Sequence, residues 1–187
     1  MESERIERQY KDSKDLFQYL MDKGEVSYAT YIDSVYKKVL VLSAASFFEA
    51  IISKAISNFA SKSSALDKRI VSLVELKVID RQYHTLFDWN AKNTNAFWKL
   101  FGDDTKSTAS QHIKEDSDLC NAEAAFIYLG SMRNSLVHQN FAEYDIDVNI
   151  TVDEIYAKYQ LACNFLDFVE LVLTPGYIKS GLGKGTT

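Results

Sequence analysis

Arg133 and His138 stand with four residues between them inside the run "YLGSMRNSLVHQNF", and Asn134 follows the arginine directly. These types could do chemistry together. A guanidinium offers a planar fork of five donors that suits a phosphate. An imidazole is the side chain whose ordinary titration falls near neutral pH, so it can take up and release protons there. A carboxamide can orient either group. Two plainer readings stand beside this one: polar decoration at the end of a helix, or a structural ion pair around the arginine.

The surroundings make the arginine conspicuous. From Glu115 to Ile178 there are eleven acidic residues and two basic ones, Arg133 and Lys158. Residues 1–114 carry 17 basic and 15 acidic residues. A lone arginine in acidic, apolar surroundings is expected to have an assigned partner, either a carboxylate or a bound phosphate. Glu49 is a second residue out of place, because it interrupts the apolar run "VLVLSAASFFEAII". An unpaired carboxylate there is costly. It is read as a partner that holds Arg133, or as a carboxylate that tunes His138.

The elements that must position these residues are helices. The chain has one proline, Pro175, and only Gly24, Gly102 and Gly130 before residue 176. β-Rich folds consume turn residues that are missing here, so an all-α domain is expected, a helical bundle with a long second helix and additional short ones. A first helix is placed from about Ser3 to Asp22, ending at Gly24. A long second helix covers about Ile32 to Ser61, with Leu40, Ala44, Phe47, Phe48, Ile51, Ala55 and Phe59 on one broad face. A third runs from about Ala65 to Val78, and a short piece follows near Gln82 to Trp89. "NTNAFWKLFG" reads as a helix with an Asn or Thr cap and a stop at Gly102. "DDTKSTAS" reads as the clearest internal loop, and Asn121 as a cap for the helix bearing Arg133. Thr151 and Glu154 have capping-box spacing and open a last helix with Ile155, Tyr159, Leu166, Val169 and Leu173 inward. Residues 1–174 are expected to form one domain and residues 175–187 a flexible tail.

Composition sets the outer bounds. A chain of 187 residues, 47% hydrophobic and 25% charged, is long and apolar enough for a core. The charged start "MESERIERQYKDSK" is unlike a signal peptide. The longest apolar run, Val39 to Ile52, is shorter than a bilayer requires. Cys120 and Cys163 lack metal-type spacing and are expected to be buried thiols. A soluble, cytoplasmic protein without membrane contact is the expectation.

The segment "RNSLVH", preceded by "VLVLSAASFFEAIISKAI" and followed by a closing helix, resembles the HEPN superfamily, in particular the branch related to RiboL-PSP and similar prokaryotic defence proteins. The likeness covers roughly Ile32 to Leu173. It implies a metal-independent endoribonuclease of the toxin or defence type, with no cofactor. Arg133 would hold the scissile phosphate, His138 would move protons, Asn134 would orient one of them, and Glu49 would support the site. It further implies a homodimer, because residues five apart on a helix lie about 140° apart. Arg133 and His138 then share no face unless the helix ends or distorts between them, and the resemblance implies that two copies of the motif meet across a two-fold cleft. RNA, for instance a tRNA loop, is the implied substrate, and an antitoxin the implied regulator. The alternative is a non-catalytic HEPN dimer that binds a nucleotide, RNA or a protein.

Other residues carry less. His84 and His112 lack partners at metal spacing and read as surface or packing histidines. "GLGKGTT" lacks the spacing of a phosphate loop. Phe141 and Tyr144, just past the motif, are candidates for stacking on unpaired bases. Lys54, Lys62, Lys68 and Arg69 read as a solvated face or a basic patch. A net charge of −5 argues against promiscuous RNA binding, which favours strongly basic surfaces. The acidic "EYDID" after the motif is read as a restraint on activity or a site for a basic partner.

Overall fold

The structure, a computed structural model, describes residues 2–64, 67–80, 82–139, 141, 144, 146–147 and 149–177, apart from the side chains of 2 and 3. Among these there is no strand. The seven α-helices are α1 (Glu2–Asp22), α2 (Val26–Ser63), α3 (Lys68–Val74), α4 (Asn95–Lys99), α5 (Asp103–Glu115), α6 (Ser117–His138) and α7 (Val152–Val172). A π-turn, Glu75–Ile79, continues α3, and a 3-10 turn spans Tyr83–Thr85. The all-α expectation holds. The tail and its "GLGKGTT" run, apart from residues 175–177, lie outside the described residues, as do Glu143 and Asp145 of "EYDID".

Local chemistry explains where the helices stop. Gly24 has φ +74°, and Glu25 N–H donates to Leu20 O at 2.9 Å while Gly24 N–H donates to Met21 O at 3.0 Å. This paired return closes α1 in a way that favours glycine. α2 starts six residues before the expected Ile32, because nothing in "VSYATY" breaks a helix and Ala29 N–H already donates to Glu25 O. By length and composition α2 could cross a membrane, a property it shares with buried core helices. Leu40, Val41, Ala44, Phe48 and Ile52 along it are buried.

Three sequence expectations are corrected. "DDTKSTAS" opens α5 and is not a loop. Gly102 breaks the chain at φ +102°, Asp103 and Asp104 then favour the positive end of a helix, and Ala109 and Ile113 bury its inner side. Asn121 caps nothing, since it lies exposed inside α6. The cap is Asp116, whose Oδ1 accepts from Asp118 N–H at 2.9 Å and Leu119 N–H at 3.1 Å. The thiols are not both buried: Cys120 is exposed and Cys163 half-buried. The third helix begins at Lys68 behind Asp67, which accepts from Arg69 N–H, and Ala65 and Leu66 fall outside the described residues.

The described residues of 1–47 and 128–160 form one compact unit, and those of 48–127 and 161–177 another. In the first, Tyr10 stacks on Tyr156 with ring centroids 4.1 Å apart. Asp153 accepts from the Tyr10 hydroxyl at 2.5 Å and the Lys14 ammonium at 2.9 Å, which holds its carboxyl below the usual range. The capping box forms as expected: Thr151 N–H donates to Glu154 Oε2 at 2.8 Å and Glu154 N–H to Thr151 Oγ1 at 3.1 Å. Thr151→Ala is expected to lower stability by about 1 kcal/mol, roughly 2–4 °C in melting temperature. Thermal unfolding of this variant beside Thr151→Ser checks it, because serine keeps the accepting oxygen.

The second unit is organised by aromatic rings. Phe87 stacks on Phe97 at 4.6 Å and meets Phe126 edge-on at 5.0 Å. Phe126 in turn lies 4.9 Å from Phe165 and 5.3 Å from Phe48. Such offset and edge contacts add to what burial alone contributes.

Candidate functional site

The motif lies on the last turns of α6. Leu129, Met132 and Leu136 are buried and fix the rotation of this segment. Arg133, Asn134 and Ser135 are therefore half-buried, while Val137 and His138 are exposed. The helix runs unbroken through the motif, and Gln139 N–H still donates to Ser135 O at 3.0 Å. It neither ends nor distorts between Arg133 and His138, so the two project about 140° apart. Asn134 and His138, four residues apart, share one face at about 40°. The carboxamide and the imidazole are thus neighbours, and the guanidinium stands on a separate flank.

The electrostatics leave the motif uncommitted. Within its own unit, the Arg133 side chain has no ion-pair or hydrogen-bond partner among the described residues, and the same is true of the side chains of Asn134 and His138. Glu49 belongs to α2 and to the other unit, where it is half-buried and likewise has no described ion-pair partner. The second cation of this acidic stretch, Lys158, lies over the Tyr128 ring at 4.5 Å from its centroid. Burial pushes the Tyr128 phenol up, and Asp147, Glu154 and Tyr144 add to the effect. It stays protonated across the neutral range.

Sequence reasoning passed over one residue that is tied to the chain just past the motif. Lys38 on α2 is 5% exposed, and its ammonium donates to Phe141 O at 3.0 Å. The same ammonium lies 5.3 Å from the Phe141 ring centroid. A signal was present in "VYKKVL", where two lysines interrupt an apolar helix as Glu49 does. The test applied to Glu49 would have found it.

His84 is exposed, and its carbonyl accepts from Trp89 Nε1 at 2.9 Å. His112 is half-buried, with Nδ1 3.2 Å from the Tyr177 hydroxyl and its ring near Phe168. Phe141 is 43% exposed and Tyr144 half-buried. Lys54, Lys62, Lys68 and Arg69 are exposed, and Arg69 is neutralised by Asp67 at 2.7 Å. Among the described residues, no group of three or more His, Cys, Asp or Glu side chains could hold a metal ion.

A family model described as RiboL-PSP-HEPN matches residues 4–174. No curated protein and no solved structure matches the chain. The matched span takes in every helix from α2 to α7, the motif and Glu49, and the chain belongs to the RiboL-PSP-HEPN family.

Proposed function

We propose that this protein is a metal-independent endoribonuclease whose site is built on Arg133, Asn134 and His138 in the cleft of a homodimer. Family membership points more broadly to an RNA-cleaving or nucleotide-binding module. One observation carries the narrower reading: His138 is exposed at the end of α6 on the face of Asn134, while half-buried Arg133 has no carboxylate partner in its own unit among the described residues. A guanidinium left uncompensated in an acidic stretch is suited to an anion supplied from outside.

In this reading, one imidazole removes the proton of a ribose 2′-hydroxyl as that oxygen attacks the adjacent phosphorus. The bond from phosphorus to the 5′-oxygen breaks, and a second imidazole, His138 of the partner subunit, gives that oxygen a proton. Arg133 binds the phosphate and stabilises the charge that builds on its free oxygens. Asn134 orients its helical neighbour His138. The products are a 2′,3′-cyclic phosphate and a 5′-hydroxyl. A two-fold axis reconciles this with the 140° between Arg133 and His138, because residues from two copies can converge where those of one diverge.

The net charge of −5 favours a narrow substrate such as a tRNA loop over general RNA degradation. It also supports a second reading, a soluble, cytoplasmic HEPN dimer that binds a nucleotide or a regulatory partner such as an antitoxin without cutting. The deciding experiment incubates the purified protein with total tRNA in excess EDTA and analyses the fragment ends. Discrete fragments ending in cyclic phosphate are expected. Intact RNA, together with nucleotide binding that is lost in Arg133→Ala, would establish the second reading instead.

A further inference from the structure

We propose that Lys38 is a positioning residue for the Arg133–His138 site, acting through the chain that leaves His138. The inference rests on the nuclease reading above for its consequence, though not for its geometry.

Lysine is among the residues least often buried, and a buried ammonium ordinarily has a carboxylate beside it. Lys38 is 5% exposed and has no carboxylate within 4.0 Å among the described residues. Its neighbour shows the ordinary solution: Lys37 is paired at 2.6 Å with Asp33, one turn earlier on α2. Lys38 instead reaches 103 positions along the chain to the carbonyl of Phe141, 3.0 Å away, with the ring of the same residue 5.3 Å from the ammonium. Carbonyl and ring face are the two neutral groups best able to replace water around a cation.

The residue held in this way lies three positions past His138, the last residue of α6. Phe141 makes no other described hydrogen bond and is 43% exposed, so packing does little to fix it. An apolar side chain of lysine's volume would fill the Lys38 position without desolvating a charge. Buried ionic groups are often neutral or unfavourable for stability compared with such replacements. A tether that contributes little stability yet sets the direction of the chain beyond His138 is a device for position. His138 is the last residue of α6 and its exposed side chain makes no described hydrogen bond, so a tether three residues on limits fraying of the helix end that carries the imidazole. Displacements near 1 Å can reduce catalysis about a hundredfold.

The test compares wild type, Lys38→Met and Lys38→Arg in two measurements. The first is the rate of chymotryptic cleavage after Phe141, located by mass spectrometry. The second is kcat and KM for RNA cleavage in EDTA. Lys38→Met is expected to melt within a few degrees of wild type, to be cut faster after Phe141, and to lose about tenfold or more in kcat with KM little changed. Lys38→Arg, which can still donate to the carbonyl, is expected to recover most of both. Wild-type kcat in Lys38→Met, or equal loss in both variants, overturns the proposal. If Lys38→Met does not fold, Lys38→Gln, whose shorter neutral side chain does not reach the carbonyl, takes its place, and wild-type kcat there overturns the proposal likewise. If wild type cuts no RNA, the nuclease reading falls, and the tether is judged by proteolysis alone: equal protection of Phe141 in wild type and Lys38→Met removes it.

Discussion

His138→Ala is expected to reduce RNA cleavage by about 10²- to 10⁴-fold, the range associated with losing a general acid or base, while leaving the melting temperature nearly unchanged. The two halves of this result have separate reasons. His138 is exposed at the last position of α6 and its side chain makes no described hydrogen bond, so truncating it removes neither packing nor a buried polar contact. Surface changes of that kind usually fall within about 0.5 kcal/mol. Any large loss of cleavage is then chemical. Arg133→Ala is expected to cost about 10²- to 10³-fold through lost charge stabilisation. Arg133→Lys should restore little of it, because an ammonium cannot present the planar two-point contact of a guanidinium.

Asn134 separates this from a simple binding defect. It is the helical neighbour of His138, one turn back on the same face, whereas Arg133 is on another flank. Asn134→Ala should therefore lower kcat through the orientation of the imidazole. The measurement is initial rate against tRNA concentration in excess EDTA for the three variants and wild type, with thermal unfolding run on each. A His138→Ala protein that cuts at the wild-type rate would end the assignment of proton transfer to this residue, whatever becomes of Arg133.

The helical fold and the place of the motif could be read from the sequence because both rest on local signals. The scarcity of glycine and proline before residue 174 excludes a turn-rich fold, and Gly24, Gly102 and the Thr151–Glu154 pair mark helix ends by their own backbone chemistry. Where the reading went wrong, a local polar signal was read without its position. "DDTKSTAS" is polar enough for a loop, but two aspartates directly after a glycine in left-handed backbone are the start of a helix. Asn121 is a good capping type in the wrong place, inside a helix already capped by Asp116. Contacts between residues far apart in sequence left no such trace. The tie from Lys38 to Phe141 spans 103 positions, and that between Glu123 and Thr94 spans 29.

The Glu123 tie should dominate the stability of the second unit. Glu123 lies on α6 and is 6% exposed, and its Oε1 accepts from Thr94 N–H at 2.7 Å and from Thr94 Oγ1 at 2.5 Å. Thr94 is 1% exposed and immediately precedes α4, whose Phe97 and Trp98 are fully buried among the rings. Asn95 beside it accepts from Ser110 Oγ at 2.6 Å, so the start of α4 is also fastened to α5. Glu123→Ala deletes the acceptor and leaves a backbone N–H and a hydroxyl dry and unpaired, and each such group costs about 1–3 kcal/mol. A loss of about 3 kcal/mol or more is expected, in the class of breaking a buried polar network. The partner change differs in kind. Thr94→Val keeps the shape and the backbone donor but removes the hydroxyl, so it should cost less, about 1–2 kcal/mol. In the double variant the Thr94 hydroxyl is no longer there to be orphaned, so the combined loss should fall short of the sum of the two single losses. Chemical denaturation of the four proteins measures this directly. Simple additivity would mean that the contact between the Thr94 hydroxyl and Glu123 contributes nothing, and that only the Thr94 N–H ties α4 to the carboxylate on α6.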